Sequence, residues 1–246
     1  MITANAQSQD GRLAWLSRQV AGLNKPYLIT GPQAAYVYHR WLTPLENLAT
    51  LQVYAEDVSA WHQLSGRECH VFDSPPTTTQ VQAAPEVIIL DPTLTPERQQ
   101  RRRVIGGLAF IAPEDLCLDL IERARGETSL AEAAAIIVAQ RDALAWELLL
   151  DQAEERGLTR QLGTILDAIN AETELDIVPP DIIEALYHRI DTRRSLLEGA
   201  VYPPGRHHSV PPRYQPIAER WGVRLVLPRY VIRKVIFDLH PQPQQS

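Results

Sequence analysis

Apolar residues in the first half of the chain come in short unbroken runs, and in the second half they recur at helical spacing. Tyr27 to Thr30 (YLIT), Glu86 to Leu90 (EVIIL) and Leu108 to Ile111 (LAFI) have the nearly continuous apolar character of buried strands. Thr50 to Tyr54 (TLQVY) and Cys69 to Phe72 are further candidate strands. Helical stretches lie between them. Gly31-Pro32 turns the chain into a helix over Gln33 to Leu42, because Pro suits a first helical turn and Gly permits the sharp bend before it. Asp57 opens a short helix that Gly66 ends, and Pro75-Pro76 followed by three threonines reads as a loop. Thr95-Pro96-Glu97 opens a short polar helix carrying Arg98, Arg101, Arg102 and Arg103; Gly106-Gly107 is a turn; Pro113 starts a helix reaching about Arg125. An amphipathic helix over Asp10 to Leu23 precedes all of this.

Strands alternating with helices predict an α/β (α+β) domain over residues 1–126, a small mixed sheet flanked by helices. From Thr128 the pattern is helical: Thr128 to Arg141, Leu144 to Arg156, Thr159 to Asn170 and Asp181 to Leu197, a bundle-like region over 127–200. Residues 201–246 read as a basic, Pro-rich loop followed by two strands, Val223 to Leu227 and Tyr230 to Phe237, as a C-terminal β-hairpin or an addition to the sheet edge.

Composition narrows the class. The chain has 246 residues, 45% of them hydrophobic, enough for a substantial core. Mean hydropathy is −0.20 and no run of about twenty apolar residues occurs, so no membrane span is expected. The first residues lack a basic start followed by an apolar run, and two isolated cysteines, Cys69 and Cys117, suit a reducing, cytoplasmic setting. The net charge of −6 is uneven: the segment from Arg206 to the end carries +5, leaving −11 elsewhere (−6 minus +5). A basic end on an acidic body suits nucleic acid, an acidic protein partner, or the body itself.

Candidate chemistry is sparse. The Gly31, Pro32, Gln33 turn joins a strand to a helix N-terminus, an arrangement that holds phosphates; a plain strand-to-helix turn is the competing reading. Arg98, Arg101, Arg102 and Arg103 form a patch able to grip phosphates or a partner, or else cations that complement a helix dipole. Asp115 and Asp119 share a helix face, as a carboxylate pair or as first-turn acids. His207-His208 lies in a loop and lacks metal-ligand spacing.

Three segments carry a family likeness. PYLITGPQAAYVYH resembles the strand, glycine and small-residue helix that open nucleotidyltransferase-like folds, and the similar segment of AbiEi-type antitoxins, partners of AbiE nucleotidyltransferase toxins. LAFIAPEDLCLDLIERARGETSLAEAAAII resembles the later strand and helix of both. WELLLDQAEERGLTRQLGTILDAI resembles the following helical pair, with its Leu-Gly turn region. An active member of that fold holds Mg²⁺ on an Asp-x-Asp pair of the strand after the first helix, where the ions neutralise charge as phosphoryl groups move. The strand TLQVY has no acid. The resemblance therefore implies a degenerate, non-catalytic module, antitoxin-like or regulatory, that binds a protein partner without a cofactor. Two alternatives stand beside it. One is an active Mg-dependent nucleotidyltransferase using Glu56, Asp57 and Asp91. The other is nucleic-acid binding through Arg224, Arg229, Arg233 and Lys234.

Overall fold

The computed structural model describes residues 25–39, 50–55, 69–71, 79–83, 86–91, 94–123, 127–190 and 212–222. The chain divides into two compact units, Met1–Ala112 and Pro113–Ser246.

The first unit is built on one mixed sheet. Its strands are β1 (Tyr27–Thr30), β2 (Thr50–Ala55), β3 (Cys69–Val71), β4 (Thr79–Ala83), β5 (Glu86–Asp91), β6 (Arg103–Ile105) and β7 (Leu108–Phe110). The order across the sheet is β3-β4-β5-β2-β1-β7-β6. β2–β5 and β1–β7 are parallel pairs; the other neighbours run antiparallel. The mixed α/β architecture matches the expectation, with a wider sheet than expected.

Two strands escaped the sequence reading. β4 begins at Thr79, inside the stretch read as a loop. β6 begins at Arg103, a residue the sequence pattern assigns to the arginine-bearing helix. That helix, α2 (Pro96–Arg101), ends one residue short of Arg102. Thr95 caps it, its Oγ1 accepting from the Arg98 amide at 3.3 Å.

Helix α1 (Gly31–His39) lies against the sheet through Ala34 and Ala35, both fully buried. Small side chains let a helix backbone approach closely. The Tyr38 hydroxyl donates to the Ile111 carbonyl at 2.5 Å, tying the far end of α1 to the chain just beyond β7. Leu28, Ile29, Val53, Tyr54, Phe110 and Ile111 are among the other buried side chains of this unit.

The second unit is helical: α3 (Pro113–Glu122), α4 (Glu127–Gln140), α5 (Trp146–Glu155), α6 (Thr159–Thr173) and α7 (Pro180–His188). A 3₁₀ turn (Pro212–Tyr214) and α8 (Gln215–Trp221) follow later in the chain. The helix predicted over Asp181 to Leu197 ends at His188, short of Ile190, and Leu197 lies outside the described residues. α4 is the innermost helix, buried continuously from Ala131 to Val138 with Glu132 its one charge in that span. α8 replaces the single turn expected at Ile217 to Trp221, and it packs on α6. The predicted C-terminal strands, the Asp10 to Leu23 helix and the Asp57 helix lie outside the described residues. Among the described residues, no helix is long and apolar enough to cross a membrane.

Candidate functional site

The strand-to-helix turn at Gly31 forms as the sequence suggests. Gly31 sits at φ +66°, a left-handed conformation that glycine adopts without strain, and Pro32 falls in the first turn of α1. What faces this turn is decided by register. β1 and β2 pair antiparallel with Thr30 opposite Gln52, so the start of β2 lies beside Gly31. A Cβ on Gly31 would meet Gln52 Oε1 at 2.4 Å. The space beside the turn is therefore taken up by this chain's own carboxamide. Gln33, one residue past Pro32, is buried. At the far end of the same helix His39 is also buried, and burial pulls its imidazole down from 6.5 to about 4, so it is neutral at physiological pH.

Among the proposed acidic ligands, Glu56 and Asp57 lie outside the described residues. Asp91 closes β5, and the parallel β2–β5 register sets it opposite Tyr54. Tyr54 is two positions along β2 from Gln52, and Gly31 lies one position beyond Gln52 on the other side. Asp91 is thus displaced from the Gly31 turn by about 10 Å along the strand direction, with β2 intervening. The fold does not bring the turn and this acid together. Near the Asp91 end of β2, a cation approaches instead: the Arg98 guanidinium stands 4.8 Å from the centre of the buried Tyr54 ring.

The arginine run divides between two elements. Arg98 and Arg101 belong to α2, Arg102 follows its end, and Arg103 opens β6. Arg102 Nη1 donates to the Gln99 carbonyl at 2.8 Å, so it also satisfies a carbonyl at the helix end. The chain then turns at Gly106 and Gly107, whose φ values of +59° and +79° suit a two-residue type I′ hairpin.

In the second unit, one of the two carboxylates suggested as a pair has a structural duty. Asp119 Oδ1 accepts from Arg156 Nη2 at 2.7 Å. Asp115, one turn earlier on α3, is buried. Its neighbour Glu114 accepts the Ala145 amide at 2.7 Å, placing a negative charge at the start of α5, where the helix dipole favours it. Among the described residues, no group of three or more His, Cys, Asp or Glu is arranged to hold a metal ion.

The basic C-terminal segment is partly used within its own unit. Arg213 Nη2 lies 2.6 Å from Glu172 Oε1, and the Tyr214 hydroxyl donates to that same oxygen at 2.5 Å. Burial, then Glu172, pushes the Tyr214 hydroxyl pKa well up. Arg220 pairs with Glu184 at 2.7 Å and Asp167 at 3.6 Å. The Trp221 indole donates to Asp167 Oδ2 at 2.5 Å, and Arg160 donates to the Trp221 carbonyl at 2.6 Å. Two cations of the basic C-terminal segment therefore meet acids of their own unit, one of the possibilities the charge distribution left open. Arg224, Arg229, Arg233 and Lys234, with His207 and His208, lie outside the described residues.

Sequence reasoning missed Gln52, Glu172 and Trp221. The Leu162-Gly163 pair, read by resemblance as a turn region, lies inside α6. Gly163 leaves room there for the Trp221 ring, since a Cβ would fall 2.2 Å from it.

No known family profile matches the chain. No curated protein matches it either. Among solved structures it overlaps JHP933 from Helicobacter pylori at 11% identity and TM-score 0.41, over 97% of this chain and 94% of that one. A structure from H. pylori described as a candidate nucleotidyltransferase overlaps at 10% identity and TM-score 0.40, covering 96% of this chain and 97% of that one. Both overlaps are loose.

Proposed function

We propose that this chain is a non-catalytic, nucleotidyltransferase-like binding module, antitoxin-like or regulatory, that works by engaging a protein partner. One observation carries the reading. The strand position facing the Gly31 turn is Gln52, a neutral carboxamide packed against the glycine, where a catalytic strand of this fold needs a carboxylate for Mg²⁺. Phosphoryl transfer depends on metal ions bridging phosphate oxygens close to the glycine turn, and an amide cannot supply the negative charge that concentrates them there. The register also sets Asp91 beside Tyr54 and away from that turn. This weighs against the enzyme alternative based on Glu56, Asp57 and Asp91.

The test is direct. The full chain, incubated with labelled nucleoside triphosphates and Mg²⁺, transfers no nucleotide above the background of a blank. Robust Mg²⁺-dependent transfer, abolished by Asp91→Asn, would overturn the reading.

The nucleic-acid alternative rests on Arg224, Arg229, Arg233 and Lys234. Its support is thinner than the charge count alone implies, because Arg213 and Arg220 are spent on Glu172, Glu184 and Asp167. Binding through the remaining cations would fall steeply with salt; a flat salt response excludes it.

A further inference from the structure

We infer that the outer edge of β6, together with Arg102 and Arg103 at its start, is a docking site for an acidic, extended segment of a partner protein, which adds to the sheet as a further strand. This rests on the binding-module reading and deepens it by naming the surface and the chemistry of the partner.

The hairpin register decides which backbone groups are on offer. Ile105 pairs with Leu108 across the Gly106-Gly107 turn, Val104 with Ala109, and Arg103 with Phe110. In a two-residue hairpin the pair closing the turn exchanges both hydrogen bonds, and the next pair exchanges none. Val104 and Ala109 are that next pair. On the inner side this is visible directly: the Ala109 amide points away from β6 and donates to the Tyr27 hydroxyl at 3.3 Å. On the outer side, the Val104 N–H and C=O point to the open edge, and among the described residues no strand pairs there.

The side chains agree. Arg103, Val104 and Ile105 are all exposed, Val104 by 63% and Ile105 by 39%. Two adjacent exposed aliphatic side chains on an edge strand offer apolar surface to an incoming strand. The pleat sets Arg103 and Ile105 on one face and Val104 on the other. Arg103 on β6 and Arg102 just before it are both exposed and give this edge a local positive charge, on a chain whose net charge is −6. An incoming strand fits best with an acid opposite Arg103 and apolar residues opposite Val104 and Ile105. Strand addition of this kind draws affinity from main-chain hydrogen bonds and specificity from alternating side chains.

Charge complementarity selects this occupant over two others. A second copy pairing edge to edge would bring two arginine clusters together, and like charges across a small interface repel. A nucleic acid would use the arginines but has no use for exposed Val104 and Ile105, where single strands favour aromatic stacking.

The probe is a short labelled peptide with a central glutamate–valine–valine run, offered to the full chain; its lysine counterpart replaces the glutamate alone. That lysine peptide, a single-stranded DNA of similar length and sedimentation of the chain alone are the comparisons. The glutamate–valine peptide binds, the other two probes bind at least about tenfold more weakly, and the chain alone stays unassociated through this edge. Arg103→Glu weakens the peptide by about tenfold, and Val104→Pro, which deletes the outward N–H, abolishes binding. Should Val104→Pro disturb the hairpin, the same peptide N-methylated on alternate amides tests the native chain, and it binds at least about tenfold more weakly than its unmethylated form. Absence of peptide binding, equal or tighter binding of DNA, self-association through β6, or indifference to peptide N-methylation would each overturn the inference. The nucleotide-transfer result is unaffected by any of these outcomes, so the two readings fail separately.

Discussion

The two units bury polar side chains in opposite ways. In the sheet unit the described buried polar residues are neutral: Thr30, Gln33 and His39, whose imidazole is held uncharged. In the helical unit five carboxylates are buried: Glu114, Asp115, Asp119, Glu132 and Glu172. A sheet satisfies its backbone groups from strand to strand, so its interior needs few charges. Packed helices expose unsatisfied amides and carbonyls at every end, and charged side chains are one way to meet them. Glu114 does this for the start of α5, while Asp119 anchors Arg156, and Glu172 anchors both Arg213 and Tyr214. The contrast bears on function. Acid is plentiful in the unit where it holds helices together. Beside the Gly31 turn the residue present is the neutral Gln52, the observation on which the proposed non-catalytic reading stands.

The strongest way to break this comparison is through α6. Gly163 lies mid-helix, where replacement by Ala ordinarily stabilises by about 1 kcal/mol. Here a Cβ would collide with the fully buried Trp221 ring. Gly163→Ala should displace that indole and lose most of its burial, a net cost of about 3 kcal/mol in thermal or denaturant unfolding. In a Trp221→Ala background the same substitution should revert to its ordinary stabilising sign. That reversal isolates the ring contact from any general effect on the helix. Additive effects in the double variant would show that α8 is not seated on Gly163.

The second test uses pH, which should move the two units in opposite directions. Burial raises the Glu132 carboxyl from 4.5 to about 7. The unfolded chain then releases this proton at lower pH than the folded one. Its contribution is therefore complete below pH 4.5 and is lost as pH rises through about 7, amounting to about 3 kcal/mol. His39 runs the other way. Its folded value of about 4 lies below 6.5, so the unfolded chain binds the proton first. The stability it contributes is present above pH 6.5 and is lost as pH falls through about 4, again about 3 kcal/mol in all. Hydrogen exchange, corrected for intrinsic rates, should show α4 gaining protection and α1 losing it as pH drops from about 8 to about 4.5. Glu132→Gln should stabilise at about pH 8 and not at about pH 4.5. A gain of equal size at both values would mean that the carboxyl titrates normally.

How much of this was legible in the sequence follows the range of the forces involved. EVIIL, YLIT and LAF read as strands because they are nearly continuous apolar runs, and helices of the second unit show apolar stripes. β4, TQVQA, has one strongly apolar residue and exists because β3 and β5 pair with it from both sides, which no local pattern reveals. Arg103 continued an arginine run that looked helical, but the Gly106-Gly107 turn folds it back onto Phe110. A Gly-Gly pair followed by an apolar run was a usable hairpin signal, and the three residues before it should have been read as its first strand. Gln52 could not have been found this way. Its place beside Gly31 depends on the β1–β2 register, across a connection whose length alone does not fix the pairing. The ties from Glu172 to Arg213 and Tyr214 span about forty residues of chain and were equally out of reach.

The smallest expected effect sharpens the reading of the Gly31 turn itself. Gly31→Ala forces a side chain into left-handed backbone, which costs about 1–2 kcal/mol, and brings a methyl group against Gln52. Gln52→Ala clears the side-chain collision but leaves the backbone strain. The double variant should therefore recover part of the lost stability and keep a deficit of about 1 kcal/mol, measured by denaturant unfolding. Full recovery would mean that the turn tolerates a side chain and that Gln52 alone excluded it. No recovery at all would remove Gln52 from the turn, and with it the observation on which the non-catalytic reading stands. Partial recovery is the outcome that fits a glycine required by its own dihedral angle and a neighbour packed directly onto it.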